Sequence, residues 1–118
     1  MIYAKRILVV DDDKFIGQFF KLILERKGYL VDIAGTGKEA LEKSKNESYD
    51  VALIDVMLPD ANGLDLLKYI PSHTKKIVLS GTISQENYKR ALDNSADAYL
   101  LKPVKIEKLL NEITEVLK

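Results

Sequence analysis

Four short stretches of the chain, Ile7 to Val10, Val51 to Ile54, Ile77 to Leu79 and Ala98 to Leu101, are apolar at every successive position. Runs that short without alternation are expected of strands covered on both faces. Longer segments with helical spacing lie between them, and this alternation predicts an α/β fold, a parallel sheet with helices on both sides. Tyr29 to Ala34 breaks the pattern, because Asp32 interrupts it between Val31 and Ile33. One side of that strand is expected to meet water, which places it at the sheet edge.

The helical segments differ in how much apolar surface they offer. In the first, Phe15, Phe19, Leu22 and Ile23 form a stripe widened by Ile16 and Phe20, and Gly28 after Lys27 is the stop signal. At the C-terminal end Ile106, Leu109, Leu110, Ile113 and Leu117 repeat that spacing, so the last helix is expected to dock firmly. Between Gln85 and Asn94 the stripe thins to Tyr88, Ala91 and Leu92, and around Lys38 to Lys45 to Ala40 and Leu41. At roughly 25 cal/mol per Å2 of buried apolar surface, such helices are weakly held and suited to shift. Pro71 is expected to cut the third helix early.

Composition narrows the function classes. With 118 residues, 47% hydrophobic and 31% charged, the chain is globular in character and reads as one domain over 1–118. Eighteen basic residues balance eighteen acidic ones, so no whole-molecule field draws it to nucleic acid or anionic lipid. The absence of cysteine removes disulfides, thiolate chemistry and cysteine-bound zinc, and His73 alone cannot build a histidine metal site. No apolar run approaches a membrane span, and Met1 to Arg6 lacks the apolar core of a signal peptide, so a cytoplasmic protein is expected.

The candidate chemistry lies at the ends of the strands. Open parallel sheets bind ligands outside the carboxyl ends of their strands, where strand order reverses. Asp11 and Asp12 directly follow the first apolar run, and Asp55 follows the run from Val51. If those strands are neighbours, three carboxylates meet, an arrangement that is costly without a cation. Magnesium is the expected ion, since it prefers oxygen ligands and is usually held by one or two carboxylates plus phosphate oxygens. Asp11 to Asp13 also suit the N-terminus of the first helix, and Asp13 is expected to do only that. Ser80 and Lys102 stand at two further strand ends, where a hydroxyl and an ammonium can meet phosphoryl oxygens. Taken singly, Ser80-Gly81 is ordinary turn chemistry and Lys102 an ordinary solvated strand end. Together they match an aspartate that accepts phosphate with metal assistance.

Val9-Val10-Asp11-Asp12-Asp13, the segment Asp50 to Gly63 with Asp55-Val56-Met57-Leu58-Pro59 inside it, Leu79-Ser80-Gly81 and Tyr99-Leu100-Leu101-Lys102-Pro103 resemble, in that order, the motifs of two-component response regulator receiver domains. The resemblance spans essentially the whole chain. It implies a doubly wound five-stranded parallel sheet in order 2-1-3-4-5, a flavodoxin-like three-layer sandwich. It further implies Asp55 as phosphoacceptor and Mg2+ as cofactor, bound by Asp12, Asp55 and the backbone carbonyl of Met57, with Asp11 acting mainly through metal-bound water. Ser80 and Lys102 would contact the phosphoryl group. Ser80 and Tyr99 would move inward on phosphorylation and remodel the face of the fourth helix, fifth strand and fifth helix.

The partner implied is a histidine kinase or histidine phosphotransfer protein, with an unidentified protein target downstream, no direct nucleic-acid or membrane contact, and scope for a phosphorylation-dependent dimer. A cis Lys102-Pro103 bond is also implied. Val104 departs from the family's usual phenylalanine, and the segment from Leu64 to Lys76 is slightly short. Met57 offers no strong hydrogen bond to a hydrolytic water, which predicts slow self-dephosphorylation; otherwise this is a signalling domain rather than an enzyme.

Three alternatives compete. Gly35-Thr36-Gly37-Lys38 ends like a P-loop, but Asp32 stands where the first glycine is needed and Glu39 where Ser or Thr should bind metal. A dehalogenase-type phosphohydrolase requires a second aspartate two residues beyond the nucleophile, where Met57 stands. A pseudo-receiver that binds a partner without being phosphorylated is opposed by the complete set Asp11, Asp12, Asp55, Ser80 and Lys102.

Overall fold

A computed structural model describes residues 3–82 and 84–118. Met1 and Ile2, part of the N-terminal stretch read above for a signal peptide, lie outside the described residues. The strands are β1 (Arg6–Val10), β2 (Leu30–Ala34), β3 (Val51–Asp55), β4 (Lys75–Ser80) and β5 (Ala98–Leu101). They form one parallel sheet in the order β2-β1-β3-β4-β5, which puts β2 at an edge as Asp32 implied and β1 beside β3 as the carboxylates required.

Alternate residues of each strand feed two separate cores, which is why the central runs are apolar throughout. Ile7, Val9, Val51, Leu53, Ile77 and Leu79 face α1 (Lys14–Arg26) and α4 (Ile106–Val116), meeting Phe20, Leu24, Leu109 and Ile113. Leu8, Val10, Ala52, Ile54 and Val78 face the other way, onto α2 (Gly37–Asn46), a 3-10 helix over Gly63–Tyr69, and α3 (Gln85–Asp93). The result is the three-layer, flavodoxin-like sandwich.

Two local readings need correction or refinement, and the fold also buries one charge. The buried face of α1 is Gly17, Phe20 and Leu24, while Phe15, Phe19 and Leu22 are exposed, so the helix is rotated by about one residue from the expected stripe. Gly17 explains the phase: a Cβ there would lie 3.3 Å from Ile33 Cγ2, so the helix lies close to β2 on its glycine side. The third helix is a 3-10 helix that ends at Tyr69, with Ile70 as its C-cap directly before Pro71. In β4, Lys76 is buried, and its ammonium donates to the carbonyls of Thr74 at 2.9 Å and Pro71 at 3.2 Å. Burial lowers the pKa of that ammonium.

The remaining helices match their patterns. Helix α4 buries Leu109 and Ile113, whereas α3 buries only Ala91 and leaves Tyr88 and Leu92 about half exposed. No helix among the described residues is long and apolar enough to cross a membrane.

Candidate phosphoacceptor site

In-register pairing of Val10 with Ile54 brings the ends of β1 and β3 side by side. Asp11 therefore emerges next to Asp55, and both are buried, at 3% and 7% exposure, while Asp12 is exposed. Ligand oxygens of Asp11, Asp12 and Asp55 lie within 4.8 Å of one another. Three hard oxygen donors at that spacing fit a small divalent cation.

Lys102 reaches the cluster from the end of β5. Its ammonium donates to Asp11 Oδ2 at 3.0 Å and to Asp55 Oδ2 at 3.0 Å, while its backbone N–H donates to the Ser80 carbonyl at 2.7 Å. Burial opposes the charge on Lys102, but the hydrogen bonds it donates to the Asp55 and Asp11 carboxylates, with their charges, outweigh it and raise its pKa. Asp11 is pushed up chiefly by burial, with the neighbouring charge of Asp55 adding to the effect and Lys102 and the Asp13 amide opposing it. The Lys102-Pro103 bond is cis.

Asp13 caps α1 as expected, accepting from the amides of Phe15 at 2.9 Å and Ile16 at 3.1 Å. Its own amide donates to Asp11 Oδ1 at 2.9 Å and helps to fix that carboxylate.

After Asp55 the chain makes a tight reversal. The Met57 amide donates to Asp55 Oδ1 at 3.2 Å, Met57 bridges Asn62, and the Gly63 amide donates to the Val56 carbonyl at 2.7 Å. Only glycine fits at 63, because a Cβ would overlap the Asp55 carbonyl oxygen. Asp55, Met57, Asp11, Asp12 and Lys102 share the walls of one open cleft of about 420 Å3.

Ser80 follows Leu79, the register partner of Asp55, and Tyr99 pairs with Val78 one step back; neither side chain hydrogen-bonds Asp55 among the described residues. The Ser80 hydroxyl donates to the Thr82 carbonyl at 3.0 Å and accepts from the Thr82 amide at 3.3 Å, so it is turned toward the following loop. The Tyr99 hydroxyl is buried with no hydrogen-bond partner among the described residues, and the ring meets Tyr88 edge-on at 5.7 Å.

Sequence reading missed two features bearing on this end of the fold. One is the exposure of Phe15 and Phe19 on α1, where Ile16, Phe19, Phe20, Pro103 and Val104 border an apolar groove that also includes Lys102. The signal available for it was Gly17. The other is Asp60, whose carboxylate accepts from the amides of Gly37 at 2.7 Å and Lys38 at 3.0 Å.

Comparison with known proteins agrees with this geometry. Residues 7–114 match the family model described as the response regulator receiver domain. The response regulator ArlR of Staphylococcus epidermidis is 38% identical over 114 residues, covering 95% of this chain and 52% of ArlR. The chain thus spans about half the length of the curated relatives it matches. Among solved structures, a CheY-like response regulator receiver domain protein from Methanospirillum hungatei is 45% identical, with a TM-score of 0.95 over 98% of this chain and 94% of that one. A response regulator from Burkholderia pseudomallei, solved with a phosphorylated aspartic acid, calcium ion and citrate, is 30% identical. It superposes with a TM-score of 0.87 over 92% of this chain and 66% of that one.

Proposed function

The chain belongs to the response regulator receiver domain family, and from that premise we propose that Asp55 accepts a phosphoryl group from a histidine kinase or histidine phosphotransfer protein. The observation that carries this reading is the convergence of Asp11, Asp12, Asp55 and Lys102, drawn from three strand ends, on one cleft. Asp11, Asp12, Asp55 and the backbone carbonyl of Met57 would hold Mg2+. Bound there, the ion would neutralise charge on the transferring phosphoryl oxygens.

The chain's own residues account for the rest. Asp55 Oδ attacks phosphorus; the new P–O bond forms as the donor's P–N bond breaks, and the imidazole keeps the electron pair. Lys102, already seated on Asp55, stays beside the new phosphoryl oxygens as a compact cation. Ser80 rotates from Thr82 toward the phosphoryl group, and Tyr99 responds beside it. The face carrying Tyr88 and Leu92 of α3 and Leu101 of β5, each about half exposed, then changes for a downstream protein or a second copy. Action in the cytoplasm and a slowly hydrolysed phosphoryl bond belong to the same reading.

Asp55 lies on the floor of the cleft, so a protein donor has to cover its rim. Phe19 at 44% exposure and the groove beside Pro103, which shares Ile16 and Lys102 with the cleft, give that donor an apolar surface next to the site, and Phe15 at 83% exposure lies on the same helix. Incubation with Mg2+ and a small acyl phosphate tests the central claim. A mass gain of one phosphoryl group, abolished in Asp55→Asn, is expected. No gain with any donor would favour the pseudo-receiver binding module, and sustained phosphate release from many substrates a hydrolase.

A further inference from the structure

Helix α2 starts directly against the turn that follows the phosphoacceptor. The first amides of a helix have no partners within it and carry the positive end of its dipole. Here two of them, Gly37 and Lys38, are taken by one carboxylate, Asp60, through Oδ1 at 2.7 Å and Oδ2 at 3.0 Å. These are charge-assisted bonds, and they hold the Asp60 pKa below its ordinary value. The approach depends on Gly37, where a Cβ would stand 3.1 Å from Ala61 Cβ and 3.2 Å from Leu66 Cδ2.

Asp60 sits at the tip of a short closed loop. The Leu58 amide donates to the Ala61 carbonyl at 3.2 Å, Met57 bridges Asn62, and Gly63 bonds back to Val56. These bonds make the Asp60 carboxylate and the Met57 backbone parts of one closed turn. We propose that Asp60 is a positioning residue, which anchors this loop on α2 and so holds the Met57 carbonyl where it completes the oxygen shell of the divalent ion. The inference rests on the receiver reading above. Its rival is that Asp60 merely caps α2.

Thr36 separates the two. It is the N-cap of the same helix, with Oγ1 accepting from the Glu39 amide at 3.0 Å, so Thr36→Ala weakens the same helix end without removing either bond from Asp60. Mg2+ titrations followed by amide chemical shifts, with thermal midpoints, are to be compared for the unmodified protein, Asp60→Ala, Asp60→Asn and Thr36→Ala. All three variants are expected to lower the midpoint. Asp60→Ala should weaken Mg2+ binding by about tenfold, the lower end of what a residue supporting a metal ligand contributes. Asp60→Asn, which keeps one acceptor and folds more readily, should weaken it less. Thr36→Ala should leave it unchanged.

In the unmodified protein Mg2+ should also slow hydrogen exchange at Gly37 and Lys38, because coupling between two sites is reciprocal. Unchanged Mg2+ affinity in both Asp60 variants, or an equal loss in Thr36→Ala, would overturn the proposal and leave the receiver reading standing. Failure of the unmodified protein to bind Mg2+ at millimolar concentration would overturn both.

Discussion

Lys102 Nζ rests 3.0 Å from Asp55 Oδ2 across 47 residues of chain, occupying the carboxylate proposed above to accept the phosphoryl group. The same ammonium holds Asp11 Oδ2, so one cation balances part of a cluster of three carboxylates. Replacing it separates two roles that the contact combines. In Lys102→Ala the divalent ion loses a competing positive charge and should bind several-fold more tightly. Phosphoryl acceptance from a small acyl phosphate should nevertheless slow by about a hundredfold, as for loss of one preorganised donor to developing charge. Mg2+ titration and the rate of mass gain measure the two effects. A parallel fall in both would contradict this account.

A second expectation concerns the donor. Phe15 and Phe19 contribute little to either core, so Phe15→Ser with Phe19→Ser should change stability by no more than about 0.5 kcal/mol per site. Phosphoryl transfer from a cognate kinase should fall by about tenfold or more if these rings are anchors in the docked complex. The rate with a small acyl phosphate should stay the same. Equal losses with both donors would place the defect in the cleft instead of the docking surface.

The lifetime of the phosphorylated state gives a third. The Met57 side chain is 80% exposed at the mouth of the cleft and has no group that orients water. In Met57→Asn an amide can do so, and decay should accelerate by about tenfold, the rate equivalent of one hydrogen bond. Following the loss of phosphorylated mass after donor removal tests this; identical decay curves would remove Met57 from the account.

The far end of the sheet sets a pH dependence of stability. The Tyr49 hydroxyl donates to Asp32 Oδ2 at 2.7 Å, and Arg6 reaches Asp32 at 3.3 Å and Glu47 at 2.8 Å while lying over the Tyr49 ring. Burial, then the bond to Asp32, raises the Tyr49 pKa above its ordinary 10.0. Above that value the unfolded chain releases a proton that the folded one keeps, so stability falls as pH rises past 10.0. The hydrogen bond from Tyr49, followed by the charge of Arg6, lowers the Asp32 pKa below 3.8. Below 3.8 the unfolded chain takes up a proton first, so that contribution is lost as pH falls. Denaturant unfolding across pH should show both limbs. Tyr49→Phe should flatten the alkaline one and cost about 1 kcal/mol at neutral pH.

Much of the fold was readable because the central strands are apolar on both faces, and the site because its carboxylates and lysine fall at strand ends. The phase of α1 was not. Phe15, Phe19 and Leu22 form one stripe and Ile16, Phe20 and Leu24 the next, so periodicity alone cannot say which faces the sheet. Gly17 decides it through contact with Ile33, a residue on another element. The network of Arg6, Asp32 and Tyr49 and the carbonyl-bound ammonium of Lys76 escaped for the same reason: each depends on partners supplied by the fold. The rotation of Ser80 toward Thr82 is a matter of one side-chain torsion, which no spacing encodes.

The glycines in the loops after β3 and β4 have opposite surroundings. Gly63 is pressed against the Asp55 carbonyl, whereas Gly81, after Ser80, has no atom of the described residues within 4 Å of where its Cβ would be. A Cβ is therefore excluded at Gly63 and accommodated at Gly81. With the phosphoryl group proposed at Asp55, the loop after Ser80 has open space beside Gly81, whereas the backbone at Gly63 leaves none beside the Asp55 carbonyl.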